Sequence, residues 1–174
     1  MQNTNEMTEL KEIVFIEEIV QQSKIAQRAA ERLQETNNNF DQVDVWGSIQ
    51  SILIAAGNVS KILWPHKKYK SRGEKLRKLL NIDETNLLSD RKFRNHFEHY
   101  DERIEVWFQN NPSAVYRDLA MNPSLYGFGF TSNNHRAYNS FDNTLIFRGE
   151  SLDLGEVLKA LEKIRLGCSN YVLV

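Results

Sequence analysis

Residues 89–107 read SDRKFRNHFEHYDERIEVW, and the reading of this stretch decides the fold. Phe93, Phe97, Tyr100, Ile104 and Trp107 recur at steps of four, three, four and three. That spacing draws one apolar stripe along an α-helix. Ser89 or Asp90 stands where a side-chain oxygen can cap the first free amides. Off the stripe the same helix carries Arg91, Arg94, Asn95, His96, His99 and Arg103. One face is expected to pack, and the other to offer imidazole and guanidinium groups.

Upstream, residues 8–35 lack Pro and Gly and are rich in Glu, Gln, Ala and Leu, which predicts one long helix. Leu10, Ile13, Ile16, Val20, Ala26, Ala29, Ala30 and Leu33 supply its apolar side, over a length of roughly 40 Å. Asn37, Asn38 and Asn39 stop it. Asp41 or Asp44 starts a second helix to Leu63, with a seam at Trp46, Ile49, Leu53, Ala56, Ser60 and Leu63. Pro65 ends that helix. Residues 66–78, HKKYKSRGEKLRK, then hold seven Lys or Arg against one Glu. Gly73 reads as a hinge there, followed by a short helix from Glu74 to Leu80.

Downstream, Asn111-Pro112 predicts a short helix to about Ala120. Residues 122–135 read as an irregular loop. Segments 136–141 and 144–148 alternate around Asp142-Asn143, a two-residue hairpin signal. Asp153 caps a last helix with Leu154, Val157, Leu158, Leu161 and Ile164 on its apolar side. The expected fold is mainly α: a bundle of four main helices with shorter helices and a small C-terminal β-hairpin. It forms a single domain over 1–174, with 8–107 as the helical core and 108–174 carrying loop, hairpin and final helix.

Composition sets bounds on function. With 174 residues, 41% apolar and 26% charged, the chain suits one domain with a sizeable core. A net charge of −1 leaves any nucleic-acid binding to a local patch. Cys168 is the sole cysteine, which excludes a disulfide framework and favours a reducing, cytoplasmic setting. The first residues lack a basic start and apolar core, so no signal peptide is expected. The most membrane-like window, the 16 uncharged residues between Asp44 and Lys61, is shorter than a span and broken by polar side chains.

On an ideal helix Asn95, His99 and Arg103 lie one turn apart on a line that Arg91 continues backward, with His96 between that line and the apolar stripe. Arg94 stands about 140° round from His99. The two can share a site through Arg94's long side chain, or across a two-fold axis between two copies. A histidine can take a proton from one oxygen and return one to another, and a guanidinium can hold a phosphate in two-pronged fashion. Together, without a metal, they suit attack by an RNA 2′-hydroxyl on its own phosphate. The same residues also suit a solvated face with pairs such as His99 and Arg103. A metal reading through His96-x-x-His99, with Glu98 or Glu102, departs from the order of the zinc-protease motif. Cys168 has no neighbouring base. No cofactor is called for. Lys67, Lys68, Tyr69, Lys70 and Arg72 can track an RNA backbone, with Tyr69 stacking on a base.

Arg94-Asn95-x-x-x-His99, late in a helical bundle, resembles the R-x4-6-H signature of the HEPN superfamily, and the likeness covers roughly residues 8–107. It implies a metal-independent endoribonuclease, active as a homodimer whose signature helices face each other across a cleft. Arg94 would polarise the scissile phosphate, His99 would act as acid or base, and Asn95 would orient groups in the cleft. The implied product carries a 2′,3′-cyclic phosphate. Such proteins serve as toxins, antiphage effectors or RNA-processing factors, often restrained by an antitoxin or other regulatory protein. Some toxin members have a tyrosine two positions after the histidine; Asp101 stands there in this chain. Arg91 and His96 offer a competing register, and Arg103 an auxiliary cation. The alternative is a non-catalytic helical module that binds RNA, a nucleotide or a partner protein.

Overall fold

The computed structural model describes residues 9–39, 41–111, 115–122 and 134–174. Two long helices, α1 (Leu10–Glu35) and α2 (Gln42–Leu63), pack along each other and supply most of the core. Ile16, Ile19, Ala26, Ala29 and Leu33 of α1 are buried, and the small alanines let the two backbones approach. All six seam residues expected on α2 are buried. Leu10, expected on the apolar side of α1, is instead exposed, and Ile13 is half-buried. The Asp41 carboxylate accepts the Asp44 amide at 3.0 Å, which settles the start of α2 on Asp41.

The next helix, α3 (Lys70–Leu79), begins earlier than the Gly73 hinge allowed. Gly73 lies inside it, buried, where an added Cβ would stand 2.6 Å from the Leu63 carbonyl oxygen and 2.4 Å from Pro65 Cδ. Its role is close approach to the end of α2. Two arginines of α3 use that proximity: Arg72 donates to the Lys61 carbonyl at 3.2 Å, and Arg77 donates to the Leu63 carbonyl. They satisfy carbonyls of the last turn of α2, which have no intrahelical partner.

The stretch expected as one helix is two. Helix α4 (Lys92–Glu98) and helix α5 (Tyr100–Asn110) meet at His99, whose φ of −115° and ψ of 38° leave the helical region. Asp90 accepts the Lys92 amide at 2.8 Å just before α4. On the expected stripe Trp107 is buried, Phe97 and Ile104 are half-buried, and Tyr100 is exposed. Phe97 and Tyr100 lie on either side of the break, and both rings approach the Arg136 guanidinium, at 5.9 and 5.8 Å, alongside Trp46 of α2 at 5.8 Å.

A four-stranded sheet follows, with β1 (Ala120–Met121), β2 (Arg136–Asn139), β3 (Thr144–Phe147) and β4 (Glu150–Asp153) in that spatial order. β1 pairs with β2 in parallel, and the other pairs are antiparallel. The short helix expected up to Ala120 is not there. Residues 115–119 form no helix and Ala120 enters β1, while Pro112 lies outside the described residues. The segment is held against the sheet by Asp118, whose carboxylate takes two hydrogen bonds from Arg136 at 2.9 and 2.6 Å, and by backbone pairing of Arg117 with Asn134. Most of the expected loop 122–135 also lies outside the described residues.

The expected hairpin is present, but its loop spans four residues, 140–143, with Asn143 at φ +60°. The two-residue turn is Arg148-Gly149, both at positive φ, and it leads into the strand β4 that periodicity had not indicated. Asp153 then caps α6 (Leu154–Gly167), accepting the Glu156 amide at 3.1 Å. Leu154, Val157, Leu161 and Ile164 pack into the main core, Leu158 is half-buried against it, and Cys168 sits buried just past the helix end. The chain is thus mainly helical with a small sheet toward its C-terminus. No helix among the described residues is long and apolar enough to cross a membrane.

Gly73 gives a direct check on this packing. Alanine would favour the helix by up to about 1 kcal/mol. Overpacking against a backbone carbonyl and a proline ring costs typically 1–3 kcal/mol. Gly73→Ala is therefore expected to lower stability in urea denaturation, whereas a true hinge glycine in this position would show the reverse sign.

Candidate functional site

Helix α4 lies on α2, and a glycine sets how closely. An added Cβ on Gly57 would stand 2.2 Å from Arg94 Cδ and 2.8 Å from its Cγ. The Arg94 side chain therefore runs across the bare backbone of α2 and is only 14% exposed. Its guanidinium donates twice to Asn95 Oδ1, at 2.7 and 3.3 Å, and lies 3.4 Å from Glu98. Nη1 is buried and has no hydrogen-bond partner among the described residues. One turn back, Arg91 donates to Ser60 Oγ of α2 at 3.2 Å. Burial, and then the neighbouring Arg94 charge, push the Arg91 guanidinium below its ordinary pKa.

Arg91 and Arg94 line one cleft of about 220 Å³ between α2, α4, β4 and α6. Leu53 and Ala56 of α2, Leu152 of β4 and Val157 of α6 form its apolar walls. Glu98 also meets Lys61 at 3.5 Å, so a single carboxylate serves two cations at the edge of this cleft.

The histidines point elsewhere. His99, at the break between α4 and α5, is half exposed, with Nδ1 3.5 Å from Glu102. Among the described residues no hydrogen bond, ion pair or ring contact joins it to Arg94. The line of Asn95, His99 and Arg103 expected on an ideal helix is broken there, and Asn95 is spent on Arg94. His96 turns toward the sheet. Its ring stacks on Phe147 of β3 at 4.6 Å, nearly parallel, and its Nε2 lies 3.6 Å from Glu150, which Lys92 also holds at 2.6 Å. His96 and His99 thus face different partners. Among the described residues no group of three His, Cys, Asp or Glu side chains converges on one point.

A second imidazole also packs on Phe147. His135 is fully buried, edge-on to that ring at 4.8 Å, and neither of its nitrogens has a hydrogen-bond partner among the described residues. Sequence reasoning passed over it, because it precedes a strand with no motif around it. Burial pushes its pKa down to about 4; Asp118 opposes this, while Arg136, Arg148 and His96 add to it. Burial likewise lowers His96, against the pull of Glu150. Nearby, burial works against the Asp118 carboxylate, but the Arg136 guanidinium and the Leu119 amide hold it below the usual range.

In the basic segment, Lys67, Lys68 and Lys70 are exposed, and Lys70 pairs with Glu74 at 3.4 Å. Tyr69 is half exposed, with Lys68 and Arg72 each 5.4 Å from its ring. Arg72 also lies 4.5 Å from the Phe15 ring while donating to α2. Arg72 is therefore a packing residue, and the lysines are the solvent-facing charges of the patch.

Two outcomes follow. In the wild type, Gly57→Ala should destabilise by about 1–3 kcal/mol through the clash with Arg94. In an Arg94→Ala background the clash is gone, and the same change should stabilise by about 0.5–1 kcal/mol. Chemical denaturation of the four proteins reads this sign reversal. Second, His135 has a depressed pKa when folded, so the unfolded chain binds more protons between about pH 6.5 and 4. Stability should be fully present above that window and fall as pH drops through it, by an amount on the order of 3 kcal/mol. Urea midpoints across the window should flatten in His135→Phe.

Comparison with known proteins supplies no relative: no protein-family model, no curated protein and no solved structure matches this chain.

Proposed function

We propose that this chain is a metal-independent endoribonuclease of HEPN type that works as a homodimer, with Arg94 and His99 as its reactive pair. The observation that carries the reading is the state of Arg94. Its guanidinium is oriented by Asn95 and Glu98 yet keeps a buried Nη1 donor that has no partner among the described residues. An oriented guanidinium with a free donor suits charge growing on a phosphate, because it needs little reorganisation during reaction. His99 supports the reading from the other side: it sits at a helix break, half exposed, with Nδ1 turned to Glu102, which leaves Nε2 for proton transfer.

His99 takes the proton of the RNA 2′-hydroxyl, and the 2′-oxygen attacks its own phosphorus. The bond to the 5′-oxygen of the next nucleotide breaks, that oxygen takes up a proton, and a 2′,3′-cyclic phosphate remains. Since Arg94 and His99 of one chain do not touch, the pair is completed between two copies. Lys67, Lys68 and Lys70 hold the RNA backbone, with Tyr69 against a base. The role is that of a toxin, antiphage effector or RNA-processing factor in the cytoplasm, restrained by a protein partner such as an antitoxin.

A second reading, a non-catalytic helical module that binds RNA, a nucleotide or a protein, is favoured by the inward course of Arg94, away from His99. RNA incubated with purified protein in excess EDTA separates the two. Cleavage should fall by about 10²-fold or more in His99→Ala. His96→Ala should change stability more than cleavage. Mixing Arg94→Ala with His99→Ala chains should restore about a quarter of wild-type activity, since half the dimers regain one of two sites. RNA left intact by the wild-type protein, with binding that survives His99→Ala, would decide for the module.

A further inference from the structure

We propose that the cleft between α2, α4, β4 and α6 binds a small organic anion, with Arg91 and Arg94 taking the anionic group and the apolar walls its body. The inference goes beyond RNA cleavage: it shares Arg94 with that reading but does not depend on His99 or on a second copy.

Three observations carry it. The first is size and lining. About 220 Å³ exceeds the ~150 Å³ of an apolar cavity that admits benzene, so a compact ring or branched chain bearing one charged group fits. Leu53, Leu88, Leu152 and Val157 offer that body a dry surface. A bare inorganic ion would leave it unused.

The second is charge. Two guanidiniums line the cleft, and among the described residues the neutral Ser60 hydroxyl is the one hydrogen-bond acceptor of Arg91. Glu98 is divided between Arg94 and Lys61. Asp90 at the rim is exposed and accepts the Lys92 amide through Oδ1; no ion pair joins it to either arginine among the described residues. Two neighbouring cations against apolar walls repel each other where water screens poorly, and an anion between them removes that cost.

The third is the unspent donor. Buried polar atoms are nearly always satisfied, and Arg94 Nη1 has no hydrogen-bond partner among the described residues. A carboxylate or a phosphomonoester supplies acceptors in the planar, two-pronged geometry that guanidiniums prefer. A cation is repelled, and a neutral oxygen can accept the hydrogen bond but leaves the two like charges uncompensated.

Methyl NMR of the wild-type protein tests this with four probes: benzoate, phenyl phosphate, inorganic phosphate and benzyl alcohol. Saturable shifts at the Leu53, Leu88, Leu152 and Val157 methyls with an aryl anion, well beyond those from benzyl alcohol, are expected. The preference between benzoate and phenyl phosphate then identifies the anionic group as carboxyl or phosphoryl. Arg91→Met should weaken that binding about 10- to 100-fold. Binding should persist in His99→Ala, so loss of RNA cleavage there with binding intact separates this site from the nuclease reading. Absence of saturable shifts at those methyls at millimolar probe overturns the proposal, whatever the variants do. Equal binding of benzyl alcohol, or inorganic phosphate as tight as phenyl phosphate, overturns it as well.

Discussion

The ion pair between Arg136 and Asp118 holds this architecture together. Its two hydrogen bonds tie β2 to the segment before β1, and its cation lies among Trp46 of α2, Phe97 of α4 and Tyr100 of α5. Both side chains are largely removed from water, 18% and 16% exposed, so neither charge can be left alone. Losing one partner of such a pair typically costs about 3–5 kcal/mol, because the survivor stays desolvated. The sheet, the path of residues 115–122 and the junction of α4 and α5 therefore stand or fall together. Tyr116 joins the arrangement through its hydroxyl, which donates to Asp118 at 3.3 Å. Burial, reinforced by that carboxylate, pushes the Tyr116 phenol up to about 12.

The long elements were legible in the sequence because their signals are local. The α2 seam, the Asp41 and Asp153 caps and the end of α2 before Pro65 each rest on residues within a turn or two of one another. What escaped was decided at long range. The stripe from Phe93 to Trp107 keeps its three-and-four spacing through His99, so periodicity cannot register one residue that leaves the helix. The rings on either side of that residue meet Arg136, nearly forty positions later, a contact that no local period carries. β1 escaped because two residues are too few to alternate, and β4 because Glu150, Ser151 and Asp153 leave Leu152 as its single apolar residue and Arg148-Gly149 is a weaker turn signal than Asn-Gly. Gly73 read as a hinge, since a glycine needed for close approach looks the same in sequence as one needed for bending.

The candidate site was legible as a set of residues, but their arrangement was not. The polar residues of the central stretch part company: Arg91 and Arg94, the latter with Asn95, lie against α2, His96 stacks on the sheet, His99 faces solvent, and Arg103 is placed only by its charge acting on His96. No helical wheel drawn for a continuous helix could give that division. Gly57, which admits Arg94, lies 37 positions away on another helix and carries no motif. His135, which packs with His96 on Phe147, was likewise invisible.

Cys168 has a consequence of another kind. Its thiol is buried at the end of α6, its Sγ lies 3.3 Å from the Ile164 carbonyl, and burial pushes its pKa up to about 11. At neutral pH roughly one molecule in ten thousand then holds the reactive thiolate, and that one is out of reach of solvent. Alkylation can proceed only when the turn that carries Cys168 lifts from α1. The rate of labelling by a thiol reagent thus becomes a clock for that opening, supplied by the natural sequence without an engineered probe.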